Sequence, residues 1–232
     1  TNMFKINIIT IFPEVFPGLL DISIIKRARN KKIWDMTLTD IKGFVDKNKS
    51  IDDTPFGGGP GLIMKADVLQ RAYESAQKNF KKSTLKNVEK IMLSPSGEEL
   101  NQNTLEKFSR KAGLILVCGR YEGVDERFIE KNNLRKISIG KYILSGGEAA
   151  AMVLCESTIR LLPNVLGNYK SKLIESFSDG LLEYPQYTKP RVWKNITVPE
   201  ILLSGNHKAI KKWRIEKSLH LTMQKKNIKN DS

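Results

Sequence analysis

The sequence predicts an α/β fold in which helices cover a parallel sheet, and three observations predict it. A β-branched apolar run opens the chain and reads as a buried strand. Between residues 90 and 130, strand-like and helix-like stretches alternate, which is the mark of a parallel sheet with crossover helices. Three of the strand ends run into glycine-bearing loops, the place where open α/β sheets bind their ligands.

Taken in order, Phe4 to Phe12 (FKINIITIF) forms the first strand and is closed by Pro13. Ser23 is the N-cap of a basic amphipathic helix running to Lys32, and Trp34 to Thr39 alternates as a strand. From Asp40 to Gly61 the chain is polar and glycine-rich, too long for an idle connection, so a functional or mobile loop is expected. Ala66 to Phe80 reads as helix. Lys90–Leu93, Thr104–Lys111, Leu114–Cys118 and Val124–Glu130 then read as strand, helix, strand, helix. Ile137 to Ile139 is a short strand ending at Gly140, and Glu148 to Leu162 is a long helical pattern stopped by Pro163. Residues 164–190 are rich in Ser, Gly, Tyr and Pro, as suits a linker and a substrate loop. Val198 to Ile228 carries a helical pattern with a basic face that includes Lys208, Lys211, Lys212, Arg214, Lys217, Lys225 and Lys226.

With 232 residues the chain has room for one large domain, or one with a smaller companion, at roughly 100–200 residues per domain. Hydrophobic residues make up 40% and charged residues 28%, which argues against a mainly disordered or fibrous chain. Lys and Arg number 39 against 25 Asp and Glu, a formal net charge of +14 that points to a polyanionic partner such as nucleic acid. Cys118 and Cys155 lie far apart with only two histidines in the chain, so neither a disulfide framework nor a zinc site is expected and a reducing cytoplasm fits best. No run of about 18 apolar residues is present to span a bilayer. The stretch from Met3 to Phe12 lacks the features of a signal peptide.

The glycine-bearing loops are Ser94-Pro95-Ser96-Gly97, Gly119-Arg120-Tyr121-Glu122-Gly123, and Gly140 onward to Gly146-Gly147. Together they predict one shared small-molecule crevice, since glycine lets backbone groups approach a ligand closely. The dinucleotide motif G-x-G-x-x-G does not follow the first strand, and no G-x-x-x-x-G-K-[ST] occurs, which excludes an ordinary dinucleotide fold or P-loop enzyme. A fourth segment, Phe56 to Gly61, reads equally as a hinge or a phosphate cradle.

GRYEGVDER (Gly119 to Arg127), SIGKYILSGGE (Ser138 to Glu148) and PFGGGPG (Pro55 to Gly61) resemble the motifs of the bacterial tRNA (guanine-N1)-methyltransferases, which belong to the SPOUT class of trefoil-knotted methyltransferases. The likeness continues through LSPSG (Leu93 to Gly97), LPNVLGN (Leu162 to Asn168), ESFSDGLLEYPQYTKP (Glu175 to Pro190) and LLSGNHKAIKKWR (Leu202 to Arg214), covering nearly the whole chain in order. The resemblance implies a SPOUT-like trefoil knot in the C-terminal half of the α/β domain (1–163), an interdomain linker (164–176) and a small all-α tRNA-binding domain (177–232). It implies a cytoplasmic homodimer whose sites are built across the interface. It also implies S-adenosyl-L-methionine as cofactor, and as target N1 of the guanosine at tRNA position 37, just 3′ of the anticodon.

Carried over motif by motif, the resemblance sets the cofactor against Pro95, against Gly119, Tyr121 and Gly123, and against the run Ser138, Ile139, Gly140, Lys141, Tyr142, Ile143 and Leu144 with Gly146 and Gly147. Tyr121 or Tyr142 suits an adenine face, although either also reads as a core aromatic.

N1 of guanine is a poor nucleophile while it carries its proton, so methyl transfer needs a general base and a group to hold charge developing on O6. The family's arginine matches Arg160 in STIRLLP, which the resemblance assigns to O6; from the residues alone it reads as a helix-end cation. The family commonly has Asp before Ser-Phe, whereas here Glu175 precedes Ser176-Phe177; Glu175 is the expected base and Asp179 the runner-up. Phe177 is expected either to stack on a flipped base or to be buried in a hinge.

Arg120 and Glu122 are expected to contact RNA or to pair with one another. Gly58, Gly59, His207 and Arg214 are further expected substrate contacts, and Trp213 reads as core. Gln186 and Lys189 stand where the family often has His and Arg, which changes the reach of the RNA contacts. No residue is assigned to a metal. The rival readings are a related knotted methyltransferase acting elsewhere on RNA, and a non-catalytic RNA-binding protein of the same fold.

Overall fold

The structure, a computed structural model, describes residues 3–166 and 181–230. The chain divides into two compact units, Thr1–Gly167 and Asn168–Ser232. In the first, the strands are β1 (Phe4–Thr10), β2 (Trp34–Asp40), β3 (Asp52–Asp53), β4 (Ile63–Met64), β5 (Val88–Glu99), β6 (Gly113–Cys118) and β7 (Arg135–Ser138). The helices are α1 (Ser23–Asn30), α2 (Ala66–Gln77), α3 (Lys82–Leu85), α4 (Gln102–Ser109), α5 (Glu126–Asn132) and α6 (Glu148–Ile159).

Five strands form one sheet in the order β2-β1-β6-β5-β7, and every pairing in it is parallel. All six residues of β6 are buried, as its unbroken apolar run requires of a strand covered on both faces. On one face Ile8, Leu114 and Leu116 pack with Ile25 of α1, Phe108 of α4 and Leu154 of α6. On the other Ile9, Ile115 and Val117 pack with Leu69 and Tyr73 of α2 and Phe128 of α5. This three-layer core is the main source of stability: truncating a side chain such as Leu116 to alanine costs about 2–5 kcal/mol. Asn7 is buried at the sheet centre and is satisfied by Thr37 at 2.8 Å and Thr39 at 3.0 Å, which joins β1 to β2 by side chains as well as backbone.

The boundaries depart from the sequence reading in informative places. β1 ends at Thr10 rather than Phe12. β5 runs on to Glu99, but both Leu93 and Glu98 lie opposite Ile137 of β7, so Ser94–Gly97 is looped out of the ladder. The expected loop of 40–61 contains β3, which pairs antiparallel with β4. α6 stops at Ile159 as an α-helix, and Leu161 and Leu162 continue in tighter turns onto Thr158 and Ile159.

In the second unit a hairpin joins β8 (Val192–Trp193) to β9 (Ile196–Thr197), with Lys194 and Asn195 both at positive φ as a two-residue turn of this kind requires. The sequence reading did not contain it, and helix therefore does not fill this unit. The single helix expected from Val198 is broken. A 3-10 turn spans Glu200–Leu203, and α7 (His207–Asn230) begins after Gly205, at φ +70°, with the Asn206 side chain accepting from the Ala209 N–H at 3.1 Å. The extended segment before the hairpin lies on α7: the Leu182 N–H donates to Thr222 Oγ1 at 2.8 Å, and the Tyr187 and Trp213 rings are 6.4 Å apart. Among the described residues no helix is long and apolar enough to cross a membrane.

Candidate active site

The bulge of β5 and the loops that follow β6 and β7 enclose a cleft of about 390 Å3. That is within the size range of small-molecule sites, roughly 300–1,000 Å3. Pro95 reaches it because Ser94–Gly97 bulges from β5, and the bulge depends on Gly97, whose missing Cβ would otherwise collide with the backbone of Lys136 and Ile137. Gly119, Arg120, Tyr121, Glu122 and Gly123 line one wall. Ser138, Ile139 and Gly140, then Tyr142, Ile143 and Leu144, then Gly146 and Gly147 line the opposite wall.

Much of this lining is backbone. Tyr121 sits at φ +58°, unusual for a bulky residue and a mark of a loop held by its surroundings. Its neighbour Glu122 donates its N–H to the Leu62 carbonyl at 3.0 Å, and the Gly123 carbonyl accepts from Met64 N–H at 3.0 Å. Partial burial raises the Tyr121 phenol above its ordinary pKa, helped by a hydrogen bond to the Asp52 carboxylate and by its charge. Tyr142, Ile143 and Leu144 are exposed at the rim. The Ser138 hydroxyl and the Gly140 carbonyl are 3.0 Å apart, closing the turn after β7.

The two walls are tied together below the cleft. The Gly147 N–H donates to the Gly119 carbonyl at 3.0 Å. Arg120 turns inward: its Nε and Nη2 meet Glu148 Oε2 at 3.0 and 2.9 Å, and its Nη1 donates to the Ser145 carbonyl at 3.1 Å. Glu148, in the first turn of α6 and buried, also accepts from the Thr10 hydroxyl at 2.7 Å. The Arg120 guanidinium lies 4.4 Å from the Phe12 ring centroid. The expected alternative of an Arg120–Glu122 pair is thus corrected: the longer-range partner Glu148 takes the guanidinium, because a buried carboxylate at the start of α6 needs a cation more than an exposed-edge Glu122 does. The motif SIGKYILSGGE alone assigns no role to Glu148; the signal for it is an acidic residue right after a glycine pair, at a helix start.

Other expected site residues lie elsewhere. Lys141 is exposed and does not line the cleft. Gly58 and Gly59 are exposed at φ +79° and +123°, and they too lie outside the cleft lining. Arg160 is the C-cap of α6, the end opposite Glu148, so at 1.5 Å per residue it is about 18 Å along the helix from Glu148. Glu175, Phe177 and Asp179 lie outside the described residues. His207 opens α7, and Arg214, further along it, stacks its guanidinium 4.8 Å from the Tyr184 ring centroid within the second unit. Among the described residues no group of three or more His, Cys, Asp or Glu is placed to hold a metal ion.

The family profile described as "tRNA (Guanine-1)-methyltransferase TrmD" matches residues 4–229. A tRNA (guanine-N(1)-)-methyltransferase of Ehrlichia canis is 48% identical over 224 residues, 96% of this chain and 93% of its own. Proteins of the same description from Pelagibacter ubique and Rhizobium etli are 45% and 43% identical, covering 95% and 96% of this chain and 94% of each relative.

Proposed function

The chain belongs to the tRNA (guanine-1)-methyltransferase family, and from that membership we propose that it methylates N1 of the guanosine at tRNA position 37, with S-adenosyl-L-methionine as the donor. The observation that carries the donor assignment is the backbone-walled cleft at the ends of β5, β6 and β7. Its volume, its apolar residues Ile139, Ile143 and Leu144, and the aromatic rings of Tyr121 and Tyr142 at its mouth fit a ligand with an adenine and an aliphatic arm. Gly123, at φ +141°, has no heavy atom within 4 Å of where a Cβ would stand, so its backbone is open to a ligand. When bound, that donor supplies an electrophilic methyl group.

The remaining chemistry belongs to the chain and to the RNA. Glu175 takes the proton from guanine N1, with Asp179 the second candidate, and Arg160 holds the charge that develops on O6. Phe177 stacks on the target base, and Glu122 at the cleft wall contacts RNA together with Gly58, Gly59, His207 and Arg214. The basic face of α7 supplies phosphate affinity.

The working form in this reading is a cytoplasmic homodimer. Two features favour two copies. Arg160 is about 18 Å along α6 from Glu148 at the start of that helix, further than one arginine side chain spans, which supports a second copy as the one that brings it to the reacting base. Val153 on α6 is exposed, and so are Leu19, in the 3-10 turn Gly18–Asp21 that packs on α6, and Ile22 just after it, as suits an apolar face covered by another subunit. The same reading takes the loops after β6 and β7 as the trefoil knot, with residues 1–163 as the knotted domain, 164–176 as linker and 177–232 as the tRNA-binding domain.

The test is transfer of labelled methyl from S-adenosyl-L-methionine to two tRNA transcripts that differ only in guanosine or adenosine at position 37. Label in the guanosine transcript alone is expected. Label in neither, with tRNA still bound, would favour a non-catalytic RNA-binding protein.

A further inference from the structure

We propose that Glu148 is a positioning residue for the donor cleft: through Arg120 and Thr10 it locks the walls after β6 and β7 to the end of β1. The inference rests on reading that cleft as the donor site.

The geometry is that of a three-way junction. One carboxylate oxygen, Oε2, receives both Nε and Nη2 of Arg120, and the other, Oε1, receives the Thr10 hydroxyl at 2.7 Å. The Thr10 oxygen in turn accepts the Phe12 N–H at 3.0 Å, which fixes the chain just beyond β1 and with it the ring beneath Arg120. Arg120 passes the constraint on, since its Nη1 holds the Ser145 carbonyl in the opposite wall. Gly146 is required by the same junction, because a Cβ there would run into the Arg120 guanidinium.

The chemistry explains why this junction is stiff. Glu148 is 5% exposed, so its charge is sustained only by its partners, and losing one leaves an uncompensated buried group. A carboxylate in the first turn of α6 also faces the positive end of that helix. Three N–H groups of a planar guanidinium are directed at two acceptors on different segments, which fixes the orientation of Arg120 as a lysine would not. A backbone-built cleft has few side chains to adjust to a ligand, so its affinity depends on the two walls being held at the right separation beforehand.

The experiment compares Glu148→Gln with the unaltered protein. The affinity for S-adenosylhomocysteine is measured by calorimetry, tRNA affinity by filter binding, and amide hydrogen exchange on the free protein. The expected result is a rise of about 10- to 100-fold in the Kd for S-adenosylhomocysteine, with tRNA affinity unchanged and faster exchange at the Gly147 amide and across 139–147 but not in β1. Unchanged affinity with unchanged exchange overturns the proposal, and so does an equal loss of tRNA and cofactor affinity, which would indicate general unfolding. Should Glu148→Gln not fold, Thr10→Val removes the two hydrogen bonds of that hydroxyl, to Glu148 and from the Phe12 N–H, and no charge; a several-fold rise in Kd supports the junction, and no change overturns it. If the unaltered protein binds no S-adenosylhomocysteine, the reading of the cleft has failed. The exchange pattern then decides the junction alone.

Discussion

Gly147 rests on the backbone of Cys118: a Cβ on Gly147 would stand 2.7 Å from the Cys118 Cα. Backbone at the end of a central strand cannot step aside, so the start of α6 and the end of β6 have a separation set by the absence of one carbon. Gly147→Ala is expected to cost about 1–3 kcal/mol through overpacking. Denaturant unfolding measures this, and a loss under a few tenths would mean that the junction of α6 with β6 is loose.

Glu175→Gln keeps the size of the side chain and removes the proton acceptor. Turnover is expected to fall about 100- to 10,000-fold with cofactor affinity retained. Unchanged turnover would transfer the role of base to Asp179, and Asp179→Asn would then show the loss.

Arg160→Ala is expected to lower kcat about 100- to 1,000-fold, the size of effect seen when a donor to a developing oxyanion is removed. Tight binding of tRNA should survive. A variant that loses only thermal stability would leave Arg160 as the C-cap of α6 and nothing more.

Acid stability offers a test at the cleft's outer strand. The Arg135 guanidinium, whose Nη2 is 2.6 Å from Glu98 Oε2, holds the Glu98 carboxyl below its usual range. A depressed folded pKa means that this contribution is fully present above the unfolded value near 4.5 and is lost as pH falls through the folded value. Glu98→Gln should therefore be slightly less stable at pH 7, and the difference should close below pH 4.5. Parallel melting curves at pH 7 and pH 3 check this; a constant difference would mean that the pair contributes nothing through charge.

tRNA affinity should fall steeply with salt if the exposed cations Lys208, Lys211, Lys212 and Lys217 of α7 neutralise phosphates. Replacing Lys211 and Lys212 with alanine should flatten the plot of log K against log salt by about one to two. A slope that does not change would move the phosphate contacts off α7.

The sheet was legible because its signal is local: apolar runs such as Leu114–Cys118 can be buried only between layers, and the glycines after them mark where those layers open. Twelve of the expected cofactor residues line the cleft for the same reason, each being carried there by the strand before it. Lys141 falls outside although its neighbours line the cleft, because its long cationic side chain is exposed to solvent. What stayed hidden was long-range. Thr10 and Glu148 are 138 residues apart, and nothing in either segment announces the other. The hairpin of β8 and β9 was missed because two strands of two residues carry no periodicity to read, leaving only the Lys194-Asn195 turn.

The cleft's dependence on main-chain groups bears on how readily it can change. A molecule that gripped the peptide groups of 119–123 and 138–147 would be recognising atoms common to every amino acid, so most substitutions there would leave its footing intact. Escape would have to come through glycine. At Gly97 and Gly147 any replacement pushes against neighbouring backbone, so mutants that evade such an inhibitor would do so by damaging their own architecture.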